Sequence, residues 1–214
     1  IHISTSTSTN TIYGNTIITT GTSARGINLQ NSATNNIVQM NTVTTSGNDA
    51  AGIRLTTINN NDVVDNTITT NGASDSHGLR IFTVNNGNFS GNTINVTGST
   101  SRGISSITMD NGIFSFNTVT TSGTTGKGFH FSTGSDNNNL TSNVITTTNN
   151  SSEALFLSGG TFNQVTSNVL TTNENDSEGI DLITENSSVI LYNNITTSGT
   201  ESDGIKIYDN SYSH

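Results

Sequence analysis

The sequence predicts an all-β fold: a single-domain parallel β-helix of about eight coils, each built from 25 or 26 residues and three short strands. Two observations carry this. An asparagine returns along the chain at Asn15, Asn41, Asn66, Asn92, Asn117, Asn143, Asn168 and Asn193, with separations of 26, 25, 26, 25, 26, 25 and 25. A spacing that regular from end to end marks stacked repeats in one elongated body, residues 1–214, with no linker. The apolar residues make up only 29 % of the chain, yet they are confined to fixed phases of the repeat. A disordered polar tract has no reason to do this.

The first strand of each repeat is fixed by the apolar residue two positions after the anchor: Ile17, Val43, Ile68, Ile94, Val119, Ile145, Leu170 and Ile195. A second column lies three residues before it, at Ile12, Val38, Val63, Phe89, Phe114, Leu140, Val165 and Ile190. The third strand starts about twelve residues after the anchor and reads apolar, any, apolar, as in Ile53-Arg54-Leu55 and Ile180-Asp181-Leu182. Alternation of period two turns one face of each strand inward and the other outward. Coils stacked in register then form a narrow continuous core, in a rod on the order of 40 Å long at roughly 4.8 Å per coil.

The corners have their own pattern. A glycine precedes the third strand at Gly26, Gly52, Gly78, Gly103, Gly128, Gly179 and Gly204, with Ala154 the exception. Glycine is expected where a Cβ would clash or force an unfavourable φ. The anchoring asparagines are expected in a tight left-handed turn, with their amides hydrogen-bonded from coil to coil as a ladder. A partial second ladder is expected at Asn10, Asn36, Asn61, Asn138 and Asn163, replaced by Gly87, Gly112 and Ser188.

These columns resemble the right-handed parallel β-helix repeats of the pectin-lyase-like superfold, especially its Asn-rich NosD-like members, and the resemblance covers the whole chain. The right-handed sense is what the resemblance implies. It implies no single activity, because that fold hosts lyases, hydrolases, tailspikes, adhesins and scaffolds.

Composition narrows the function. With no Cys, thiolate metal sites and disulfides are excluded. Only six Lys and Arg stand against fifteen Asp and Glu, for a net charge of −9. Nucleic acid needs a basic stripe and is not expected as a partner. No apolar run has membrane-spanning length, so membrane insertion is not expected. The chain opens on Ile1 rather than Met, which reads as a processed protein or a piece of a longer one.

Candidate chemistry sits at four places. The nearest matches to polygalacturonase-like motifs are Ser202-Asp203-Gly204-Ile205-Lys206 and Ser76-His77-Gly78-Leu79-Arg80, about five coils apart and therefore unable to form one site. No adjacent Asp pair accompanies them, so no catalytic residues, no cofactor and no enzyme are expected. The outward column of the third strand, Asn28, Arg54, Arg80, Ser105, His130, Phe156, Asp181 and Lys206, reads as a solvated face, with Phe82 and Phe156 as its outward aromatics. Arg54 and Arg80 on it suit an anionic sugar, which leaves surface polysaccharide open as a partner. Glu174, Asp176, Glu178, Glu201 and Asp203 fall on two adjacent loops, where calcium is the cation they could hold; the alternative is an acidic rim screened by solvent. Finally, Thr42 and Thr44, Thr67 and Thr69, and Thr118 and Thr120 flank the first strand's apolar column and resemble the Thr-any-Thr arrays of ice-binding β-solenoids, giving ice binding as an alternative function.

The residue preceding each corner glycine runs Arg25, Ala51, His77, Arg102, Lys127, Glu153, Glu178, Asp203, so the rod is electrically polar. Ile1 and Ile3 occupy the same phase of the third strand as Ile205 and Ile207, with no recognisable cap at either end. The expectation is an extracellular or cell-surface structural protein whose copies stack end to end into a fibre, sheath or stalk.

Overall fold

The computed structural model describes residues 1–4 and 7–208, and all of the regular structure there is β. Sheet A has nine strands: His2–Ile3, Ile27–Gln30, Ile53–Asn59, Leu79–Asn85, Arg102–Asp110, Lys127–Ser132, Leu155–Ser158, Ile180–Ile183 and Ile205–Tyr208. Sheet B holds eight strands, from Thr11–Tyr13 to Val189–Leu191, and sheet C eight more, from Thr16–Thr19 to Asn194–Thr197. Every pairing is parallel and joins each residue to its equivalent one coil away. Val43 sits between Ile17 and Ile68, Val63 between Val38 and Phe89, and Leu55 between Leu29 and Ile81. The fold is a right-handed parallel β-solenoid of about eight turns with three strands per coil.

The three inward columns form one core. Its middle is aromatic: Phe89 stacks on Phe114 at 4.8 Å between ring centres, and Phe131 meets Phe114 edge-on at the same distance. Such contacts add to the area they bury, and they fill the coils where sheet A strands are longest.

Both asparagine ladders form. The backbone N–H and Nδ2 of each anchor donate to Oδ1 of the next, as from Asn66 to Asn92 at 3.0 and 3.1 Å. Nδ2 of Asn66 also donates to the carbonyls of Val38 and Val64, which closes the corner. The second ladder runs Asn10, Asn36, Asn61 and resumes at Gly112, Asn138, Asn163, ending on Ser188 Oγ. The expected left-handed anchor is not observed. Positive φ belongs instead to the preceding residue, in the column Gly14, Met40, Asp65, Gly91, Phe116, Ser142, Ser167 and Tyr192. The turn is made one residue early, and this frees the anchor to aim its amide inward.

Two further ladders gave no recognised signal in the sequence. The fourth residue of the sheet C strands turns its hydroxyl into the corner: Thr45 donates to Ala50 O, Thr70 to Ser76 O and Thr172 to Ser177 O. Serines do the same at the next bend, where the backbone N–H of Ser76, Ser152 and Ser177 donates to Oγ of Ser101, Ser177 and Ser202. The corner glycines answer to space rather than to φ. A Cβ on Gly52 would run into Ile68 Cγ2 and lie 2.8 Å from Gly78 O.

Ile1, Ile3, Ile205 and Ile207 lie at the two edges of sheet A. Ile3 pairs with Leu29, while Ile205 and Ile207 pair with Ile180 and Leu182. Ile207 is 69 % exposed, and its strand has no neighbour on its outer side among the described residues.

Candidate functional site: a charged groove along sheet A

The outward column of sheet A and the column preceding the corner glycines run side by side along the rod and together line a cavity at each end of it; the strip they form is termed the groove. The two columns hold all six Lys and Arg of the chain: Arg54, Arg80 and Lys206 in the outward column, and Arg25, Arg102 and Lys127 in the column that precedes the corner glycines. The alternation of sheet A puts the first three outward, and the corner glycine's close packing holds the last three beside them. The expectation of a freely solvated face is corrected here. Asn28, Ser105, His130 and Asp181 are buried, and His130 is covered by the Phe156 ring of the next coil.

The groove divides by charge. Over the first five coils it is cationic. Arg80 Nη1 lies 3.0 Å from Asp49 Oδ1. Partial burial pushes the Asp49 carboxyl up, but hydrogen bonds from Ser23 and Arg80 outweigh this and hold it below the usual carboxylate value. Arg54 and Arg80 both stack over the Phe82 ring, at 5.4 and 4.9 Å. Their Nε atoms are buried without a partner.

Two histidines floor the middle. His77 is 2 % exposed, and its Nδ1 accepts the Arg102 N–H at 3.0 Å. His130 lies flat on Phe156, 4.9 Å between ring centres, with its own Nδ1 unpartnered. Burial, aided by Arg102, pushes both pKa values down to about 3, so both rings are neutral at ordinary pH.

The last coils form a pocket of about 480 Å³ whose walls include Glu153, Phe156, Glu178, Asp181, Asp203 and Lys206. The carboxylates of Glu153, Glu178 and Asp181 approach within 4.8 Å of one another, the one group of potential metal ligands among the described residues. Lys127 pairs with Glu153 and also lies over the Phe156 ring. Lys206 Nζ lies 2.7 Å from Glu178 Oε1. Asp181 has no such partner; its Oδ1 is buried and unbonded. Burial first, then Glu153 and Glu178, pushes its carboxyl up to about 6.

Four of the five carboxylates expected as calcium ligands, Asp176, Glu178, Glu201 and Asp203, line this pocket. Glu174 does not line it, and its carbonyl accepts the Ser202 hydroxyl. Only Glu178 belongs to the tight triad. Its partners are Glu153, one coil away in the same column, and Asp181, three residues on in the outward column of sheet A. The two motif-like segments at Ser76–Arg80 and Ser202–Lys206 share the groove but stand five coils apart, as expected.

No protein-family model matches the chain, and no curated protein matches it. Among solved structures it is similar to HetL, a pentapeptide repeat protein of the cyanobacterium Nostoc, at 9 % identity and TM-score 0.24, over 88 % of each chain. It is similar to the surface protein and adhesin PfbA of Streptococcus pneumoniae at 8 % identity and TM-score 0.27, covering 96 % of this chain and 91 % of that one. A third is the A-module of a mannuronan C-5 epimerase from Azotobacter vinelandii, at 12 % identity and TM-score 0.25, covering 90 % and 79 %.

Proposed function

We propose that this chain is a rigid β-helical segment of an extracellular or cell-surface protein that holds an acidic polysaccharide along the sheet A groove, without turning it over. The observation that carries this is the placement of all six Lys and Arg on one of three faces. In a chain with net charge −9, such segregation opposes the average electrostatics. Five of the six, Lys206 excepted, are half-buried and cannot swing freely.

Guanidinium forks suit carboxylate or sulfate groups in pairs, and Phe82 lies under both the Arg54 and the Arg80 guanidinium, which holds the two side by side. Arg25 to Lys127 spans five coils, roughly 20 Å at one strand spacing per coil, the length of an extended oligomer rather than a monosaccharide. The acidic pocket beyond Lys127 repels the same ligand and sets where it stops. Because the ladders fix the backbone, little ordering entropy is lost on binding.

Affinity electrophoresis through gels containing pectate, alginate or chondroitin-type polymer tests this, with a neutral glucan as reference. Retardation by the acidic polymers alone, lost in the Arg54→Ala/Arg80→Ala double variant, is expected. Equal mobility in every gel overturns the reading, as does retardation that the double variant keeps.

A second reading rests on the exposed apolar pair Ile205 and Ile207 at the sheet A edge. That edge fits one more coil, and a neighbouring copy of the chain could supply it by head-to-tail stacking. Electron microscopy at moderate salt would then show filaments, whereas uniform isolated rods argue against it.

A further inference from the structure

We propose that the outward face of sheet C binds an ice surface. This face is separate from the sheet A groove and is not used by the proposed polysaccharide binding. Its eight strands contain no Asp, Glu, Lys, Arg or His. Of the sixteen outward positions, eleven are Thr; the others are Ile18, Asn95, Val144, Val169 and Asn194.

Register makes these residues a lattice. Thr16, Thr42, Thr67, Thr93 and Thr118 form one unbroken row over five coils. Thr120, Thr146, Thr171 and Thr196 form a second over four, and Thr44 and Thr69 continue it on the other side of Asn95. Hydroxyls therefore repeat at about 4.8 Å along the rod and about 6.6 Å along each strand.

What these hydroxyls do is decided by contrast with their neighbours. The inward threonines Thr45, Thr70 and Thr172 spend theirs on corner carbonyls. Among the described residues, none of the outward ones donates to a protein acceptor, so their valences are open to water. β-Branching restricts χ1, which holds each hydroxyl and methyl in a fixed direction. The asparagine ladder beneath fixes the backbone. Water bonded to such a grid is spaced by the protein before any crystal is met, and the methyls between prevent a competing hydration pattern. Absence of charge matters equally, because an ion would orient water around itself.

A dry partner, such as the same face of a second copy, fits less well. Burying eleven hydroxyls without acceptors would strip each of water and give it nothing in return, which disfavours such a contact.

Ice growth in a nanolitre osmometer tests the proposal on the intact chain. Expected are a gap between melting and freezing temperatures and faceted crystals, both lost in Thr69→Lys and in Thr118→Lys. Each variant is first checked for the native β circular dichroism spectrum, and two separate positions guard against one failing to fold. The Arg54→Ala/Arg80→Ala variant keeps the gap, so loss of polysaccharide binding and loss of ice binding are told apart. Round crystals without a gap overturn the proposal, as does a full gap in both Lys variants. A concentration-dependent dimer that both Lys variants abolish would assign the face to self-association instead.

Discussion

Lys206 and Glu178 come from neighbouring coils, and Nζ of the first lies 2.7 Å from Oε1 of the second. Asp181 is the residue directly paired with Lys206 in sheet A, yet the lysine leans away from it. The hydrogen bond that Lys206 donates to Glu178 raises the lysine's pKa. Asp181 is left in a buried place with two carboxylates nearby, and its carboxyl rises to about 6. One residue in this pocket is therefore a proton store, and its neighbours are a fixed ion pair.

Replacing that store has a pH signature. A raised folded pKa means the contribution of Asp181 is intact below its unfolded value near 3.8 and is lost as pH rises through about 6. Above that, the wild type must bury an ionised carboxylate, and Asp181→Asn need not. Urea unfolding at about pH 8 should show the variant more stable by about 2 kcal/mol. At about pH 4 the two should unfold alike, since Asp181 is then protonated in the native wild type.

The histidines have the opposite sign. With folded values near 3, His77 and His130 stabilise the neutral form, fully above the unfolded value near 6.5 and progressively less as pH falls toward 3. At about pH 4.5 each costs about 3 kcal/mol relative to neutral pH. His77→Asn keeps an acceptor for the Arg102 N–H and removes the titration. The fall in Tm between neutral and acid pH should shrink in this variant, and an unchanged slope would mean that the ring is not buried neutral.

The fold was legible because a solenoid writes its structure in columns. Asn41, Val43 and Gly52 each recur with the coil and each reports one local demand. The groove was less legible for the same reason. Glu153, Glu178 and Asp181 belong to two columns and two coils, so reading each column singly separated the members of one cluster. From sequence the outward residues of sheet A read as solvated, because alternation predicts direction and is silent about how neighbours in the same column, such as Phe156 against His130, cover one another. The left-handed turn at Met40 and Phe116 was missed because those side chains give no sign of it. Only Gly14, Gly91 and Asp65 in the same column suggest it.

The ladder should be strongest where it is dry. Asn92 is fully buried; it donates to Val63 O and Asn117 Oδ1, and its own Oδ1 accepts from Asn66. Asn92→Ala leaves the buried Asn66 N–H without its acceptor, at about 1–3 kcal/mol, and removes the side-chain bonds to Val63 O and Asn117 Oδ1, at about 1 kcal/mol for each. A loss of roughly 3 kcal/mol or more is expected in denaturant unfolding. Asn15→Ala, at the exposed first rung, should cost about 1 kcal/mol, the net worth of an ordinary hydrogen bond. Equal losses at the two positions would contradict a ladder whose strength comes from desolvation.

Phe116 offers a test of backbone strain on its own. Its φ of 56° lies in the left-handed region, and its ring is 69 % exposed. A bulky L-residue is held there at a cost of about 1 kcal/mol, because Cβ crowds the carbonyl that follows. Asparagine tolerates the same φ far better. Little packing is lost when so exposed a ring is removed, so the strain should decide the sign. Phe116→Asn is expected to raise stability by about 0.5–1 kcal/mol, a few degrees in Tm, with the β spectrum unchanged. A fall of similar size would mean that the ring's remaining contacts outweigh the turn, and that the bend is set by the ladder at Asn117 rather than by the residue before it.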